Sequence, residues 1–175
     1  MKYFVILTSL FALLGCKSNA QKLQVTPIYT ELQRVTKDIP ETAKNHTYTT
    51  RNAVVEHLNP MIFMLSKHAE RLQFRIRGNI SSGGHSVHQV RRIRLEKGAQ
   101  NGNTITLRYY VEIKKIPGKE SANIHGYNYT KDETYKIPND VKIIRVELYE
   151  DRSNNDLDSN AKLIAQQTFN FFAKI

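Results

Sequence analysis

Arginine stands at alternate positions of one apolar stretch and recurs on the next two. Arg71, Arg75 and Arg77 alternate with Leu72, Phe74 and Ile76, and Arg92, Arg94 and Arg108 follow on two further alternating runs. A guanidinium group is planar and donates two parallel N–H bonds, which suits phosphate and carboxylate. If the three runs are neighbouring strands, the six arginines make one positive surface for an anionic partner. The plain alternative is a solvated outer face that discourages edge pairing.

Other residue types suggest metal chemistry and then fall short of it. His85-Ser86-Val87-His88 follows Gly83-Gly84, and His57 and His68 flank Met61 and Met64. Imidazole and thioether suit copper, but neither set has a third and fourth ligand at a defined spacing. No metal is assigned, and Met61 and Met64 are read as core. Asp151, Ser153, Asn155, Asp156 and Asp158 echo a calcium loop, yet Asp156 holds the sharp-turn glycine position and Lys162 the closing glutamate position. An ordinary polar loop is the better reading. Asn45-His46-Thr47, Asn79-Ile80-Ser81 and Asn128-Tyr129-Thr130 match the glycosylation sequon. There is no Gly-x-Ser-x-Gly, no phosphate loop and no His-Glu-x-x-His, so the chain reads as non-enzymatic and free of cofactors. A carboxylate pair assembled by folding is the catalytic route left open.

The single cysteine, Cys16, leaves the folded part without a disulfide, a zinc cluster or a thiol nucleophile. Its setting gives it another use. Lys2 precedes the uncharged run Tyr3 to Leu14, which is shorter than the ~20 residues of a membrane-spanning helix and fits the apolar region of a secretory signal. The run ends in Leu13-Leu14-Gly15-Cys16, which resembles the lipobox of bacterial lipoproteins. The resemblance implies that residues 1–15 are a removed signal peptide and that the Cys16 thiol is acylated, as with palmitate. Residues 16–25 then form a tether. Each buried CH₂ adds ~0.8 kcal/mol, so two or three acyl chains hold a protein on a membrane. Lys17 follows, not Asp, and no acidic cluster does; the same resemblance then implies the cell envelope, at the periplasmic face of the outer membrane. Cleavage after Ala20, giving a secreted protein, is the alternative.

The elements that must position the arginines are mostly strands. Thr26-Pro27 predicts a helix start, with Val25, Ile28, Leu32 and Val35 at helical spacing and Ile39-Pro40 as the stop. Asn52 to Leu58 is a short helix or a strand, and Met61 to Leu65 a buried strand. From Arg71 to Ile80 the period is two. Val87 to Glu96 is a second strand in which Val90 is out of phase, as a bulge would make it. Gly98 to Asn103 carries an Asn-Gly hairpin signal. Thr104 to Lys115 sends Ile105, Leu107, Tyr109, Val111 and Ile113 inward and Arg108, Tyr110 and Glu112 outward. Ser121 to Asp132 is polar, Thr134 to Ile137 is a short strand, and Val141 to Tyr149 is a strand with Ile144, Val146 and Leu148 inward. Lys162 to Phe172 closes the chain, with Leu163, Ala165, Phe169 and Phe171 on one face.

This pattern predicts a mainly β chain, an antiparallel β-sandwich of about 6–8 strands with a short helical N-terminal lead-in. Residues 26–70 are the helical or irregular lead-in and 71–175 the sandwich core, with 26–175 as one domain. The stretches Gly78-Asn79-Ile80-Ser81-Ser82-Gly83-Gly84 and Tyr135-Lys136-Ile137-Pro138-Asn139-Asp140-Val141 resemble features of small immunoglobulin-like or transthyretin-like sandwiches in bacterial envelope lipoproteins. That resemblance implies a fold and no activity.

Composition points to the partner. Lys plus Arg number 26 against 16 Asp plus Glu, and losing Lys2 with the signal leaves 25 against 16. Such a surplus favours anionic partners. Outside the cytoplasm these are lipid headgroups, acidic glycans and acidic proteins rather than nucleic acid. The expectation is a membrane-anchored binding or accessory module. Two alternatives stay open: a periplasmic immunity protein that blocks a delivered toxin, and a hydrolase with a cryptic site.

Overall fold

A computed structural model describes residues 22–39, 44–68, 70–82, 86–117, 123–152 and 161–171. The signal and lipidation motif around Cys16 lie outside them, as do His85 and residues 153–160, which carry most of the acidic loop.

The alternating runs become strands with one dry face. In β4 (Arg71–Ser81), Leu72, Phe74, Ile76, Gly78 and Ile80 are buried and the residues alternating with them face out. In β6 (Thr104–Pro117), Ile105, Leu107, Tyr109, Val111 and Ile113 are all buried. In β8 (Ile143–Asp151), Ile144, Val146 and Leu148 are buried. β5 (Ser86–Asn101) shifts register between Val90 and Arg92, and this bulge puts Val90 and Ile93 on the same buried side. The β5–β6 turn is tight, with Gly102 at a φ of 57°, the left-handed region that glycine enters without a Cβ penalty.

Two sheets share one core. The larger has the order β2-β1-β7-β4-β3 and the smaller β5-β6-β8-β9. The remaining strands are β1 (Gln24–Ile39), β2 (Lys44–Ala53), β3 (Met61–His68), β7 (Ile124–Lys136) and β9 (Lys162–Asn170). Phe74 joins the layers, with its ring 5.8 Å from Tyr109 and 6.0 Å from Phe169. Pairing is antiparallel except between β6 and β8, which run parallel because the chain crosses to the other sheet as β7 between them.

Three expectations need correction. Residues 26–35 are strand, not helix, so the described N-terminal region is β-structure. Val25, Thr26, Ile28, Thr30, Val35 and Thr36 are β-branched and fit a pleated surface. Pro27 is tolerated because β1 there has β7 on one side only; β2 pairs further on, from Thr30. Residues 24–68 are accordingly no lead-in but three of the five strands of the larger sheet. Met61 and Met64 are not core either: β3 is an edge strand, and they are 42% and 50% exposed.

β7 is longer than its sequence suggests. Opposite the apolar residues of β4 it turns Tyr127, Tyr129, Lys131, Glu133 and Tyr135 inward. Lys131 and Glu133 neutralise each other at 2.5 Å. Between β2 and β3 the chain crosses the outer face of the larger sheet. Asn128 accepts from the Leu58 N–H at 3.0 Å and donates to the Glu56 carbonyl at 2.9 Å, while Asn79 donates to the Leu58 carbonyl at 2.7 Å. Two of the three sequon asparagines thus pin this crossing.

Candidate anion-binding faces

The six arginines do not form one surface. β4 belongs to one sheet and β5 and β6 to the other, so Arg71, Arg75 and Arg77 lie on one outer face and Arg92, Arg94 and Arg108 on the opposite one. Charge, spacing along the strands and the β5–β6 hairpin were legible; the placement of β4 in the other sheet was not.

On the smaller sheet the positive charge is matched. Register places Glu112 opposite Arg92 and Glu96 opposite Arg108 on β5 and β6, and β8 places Glu147 beside Arg108. Arg92 donates to Glu112 at 2.6 Å and Arg94 to the same carboxylate at 3.1 Å. Arg108 donates to Glu147 at 3.4 Å and lies 3.8 Å from Glu96. These bonds lower the Glu112 carboxyl below its usual range, the Arg92 hydrogen bond first, and the Glu147 bond raises Arg108. Aromatic rings complete the lattice. Arg94 stacks 4.5 Å above Tyr110, whose ring lies 5.1 Å from Tyr149 and nearly parallel to it. The Tyr149 hydroxyl donates to Glu147 at 2.9 Å, and burial together with that carboxylate raises its pKa.

The larger sheet differs. Arg75 makes a bidentate pair with Asp132 on β7, at 2.5 and 2.7 Å. Asp132 is nearly buried, and the Arg75 bond holds its carboxyl below the usual range. Arg71 and Arg77 have no carboxylate partner among the described residues. Arg77 lies 5.5 Å over the Phe63 ring with its Nε buried and unbonded, and its terminal nitrogen 3.7 Å from the Met61 sulfur. Arg71 lies in register with Lys136 on β7, two cations directly opposite each other, and has His68 of β3 on its other side. Like charges directly opposite on neighbouring strands repel. Sequence reading missed Lys136, because it ends a strand whose inward positions are polar, and read His68 only as a metal-type residue. The carboxylate partners had a signal, since Glu112 falls on the outward parity of its strand.

The histidines give no shared centre. β3 rises ~3.3 Å per residue, which puts His68 far from His57 beyond its other end. His57 instead makes an edge contact with His125, ring centres 5.2 Å apart. His88 is pushed toward its neutral form by burial first and then by Arg152 and Lys115. Among the described residues no cluster of three metal-type side chains occurs. No described helix is long and apolar enough to cross a membrane. Neither a protein-family model, nor a characterised protein, nor a solved structure matches this chain.

Proposed function

We propose that the protein is a non-enzymatic envelope lipoprotein, held on the outer membrane through Cys16. Its two sheets form a sandwich of immunoglobulin-like character that presents one basic face to an acidic partner. The observation that carries the reading is Arg71 in register between His68 and Lys136, with Arg77 beyond it, neither arginine having a carboxylate partner among the described residues. Repulsion between Arg71 and Lys136 is relieved when an anion binds. Arg92, Arg94 and Arg108 drop out of the binding surface, because carboxylates on their own sheet already match them.

Anionic lipid headgroups are the partner that the expected location supplies most densely. Each basic residue near an anionic surface contributes about 1 kcal/mol, roughly fivefold in affinity. The test is co-sedimentation with phosphatidylglycerol vesicles in low salt. Arg71→Ala with Arg77→Ala is expected to weaken binding about 25-fold, while Arg92→Ala changes it less than twofold. Equal losses from both faces, or none from either, remove the reading. Retention of a single protein from the envelope with no vesicle binding points instead to an acidic protein partner.

A further inference from the structure

β3 and β9 are the edge strands of their sheets, and they lie side by side where the two layers meet. Between them runs an open groove of about 430 Å³. Ile62 and Phe169 form its floor, and Phe63, Met64 and Phe171 its walls. Lys67 stands at the Phe171 end, its Nζ 4.8 Å from that ring's centre. No carboxylate among the described residues pairs with Lys67. The β3–β4 turn brings His68 and Arg71 to the same end.

Concave, mostly apolar sites of ~300–1,000 Å³ with few polar groups are where small ligands bind. This groove also resists the main competing occupant, an added β-strand. The edge of β3 is interrupted by a register shift between Met64 and Ser66, beside the groove wall at Met64. Bulges of this kind blunt an edge against strand addition. Methionine at the wall adapts to a flexible chain. We infer that the β3–β9 groove binds the hydrocarbon chain of an anionic amphiphile, with Lys67 meeting its head group.

The groove borders the basic face, through Phe63 under Arg77 and through the Arg71 end, so its test reads chain length, which that face does not sense. The full chain is titrated calorimetrically with decanoate, dodecanoate, dodecyl phosphate and dodecyl maltoside, all below micelle formation. One site is expected, and affinity rises about fourfold for each methylene added between decanoate and dodecanoate. The tighter of carboxylate and phosphate tells a fatty-acid source from a phospholipid one. Lys67→Glu weakens dodecanoate about tenfold and leaves dodecyl maltoside unchanged. Met64→Lys, at a half-exposed position, weakens all four. Arg71→Ala with Arg77→Ala keeps the chain-length dependence. Absent binding, affinity indifferent to chain length, or a Lys67→Glu loss equal for charged and uncharged heads overturns the inference. So does a Met64→Lys change in sedimentation without a change in affinity, which makes the groove a contact between copies.

Discussion

The two outer faces carry the same residue type in the same outward parity and treat it differently. On the smaller sheet, Arg92, Arg94 and Arg108 meet Glu96, Glu112 and Glu147, and Arg94 also stacks onto Tyr110. On the larger, Arg75 has Asp132, whereas Arg71 faces Lys136 and Arg77 lies on Phe63. The difference is one of register, not of composition. A charge surplus becomes a surface only where the neighbouring strand fails to supply the opposite sign.

The contrast is open to mutation. The largest effect is expected for Arg75→Ala, which leaves the nearly buried Asp132 without its bidentate donor. A loss of about 2–3 kcal/mol in urea unfolding is expected. Arg92→Ala on the opposite face, half-exposed and sharing its carboxylate with Arg94, costs under about 1 kcal/mol. Equal costs would erase the distinction. Next is Asn128→Ala, which removes both hydrogen bonds to the crossing segment at residues 56–58 and costs about 2 kcal/mol by the same measurement.

The pH dependence follows. Asp132 and Glu112 both have folded pKa values below their unfolded ones. Their contributions are complete above the unfolded values of ~4 and are lost as pH falls through the lower folded values. Unfolding midpoints should hold level between pH 7 and 5 and fall between pH 4 and 2, and Glu112→Gln should flatten the fall by lowering the level of that plateau. An unaltered slope would mean that the Arg92–Glu112–Arg94 contacts contribute nothing net. The smallest effect is a gain: Arg71→Ala relieves repulsion with Lys136 by a few tenths of a kcal/mol. The gain should vanish in ~1 M salt, where screening acts within ~3 Å.

How much of this was legible follows from what each strand carries. β4, β6 and β8 alternate aliphatic and polar residues, and their inward sets are those the period of two picks out. The Val90 bulge was legible as a break in parity. β7 was not, because Tyr129, Lys131 and Glu133 face the interior; an internal ion pair hides a strand from any hydrophobic count. β1 misled because a period near 3.6 and a Thr-Pro start signal coexist with β-branched residues, and only pairing with β7 decides between them. The basic residues were legible one by one. Their division between two faces depends on which strands are hydrogen-bonded, and that information is long-range.

The pairing of Gln24 to Tyr29 with residues 124 to 130 also bears on the order of assembly. The hairpin of β1 and β2 has only local contacts to make and is available early. The first half of β1 must wait until every strand from β3 to β6 and then β7 has been made. Contacts between such distant segments close large loops and slow folding. A chain emerging from its amino end therefore carries that strand's open edge for most of its synthesis. Refolding of the full protein should be slower than its size alone would suggest.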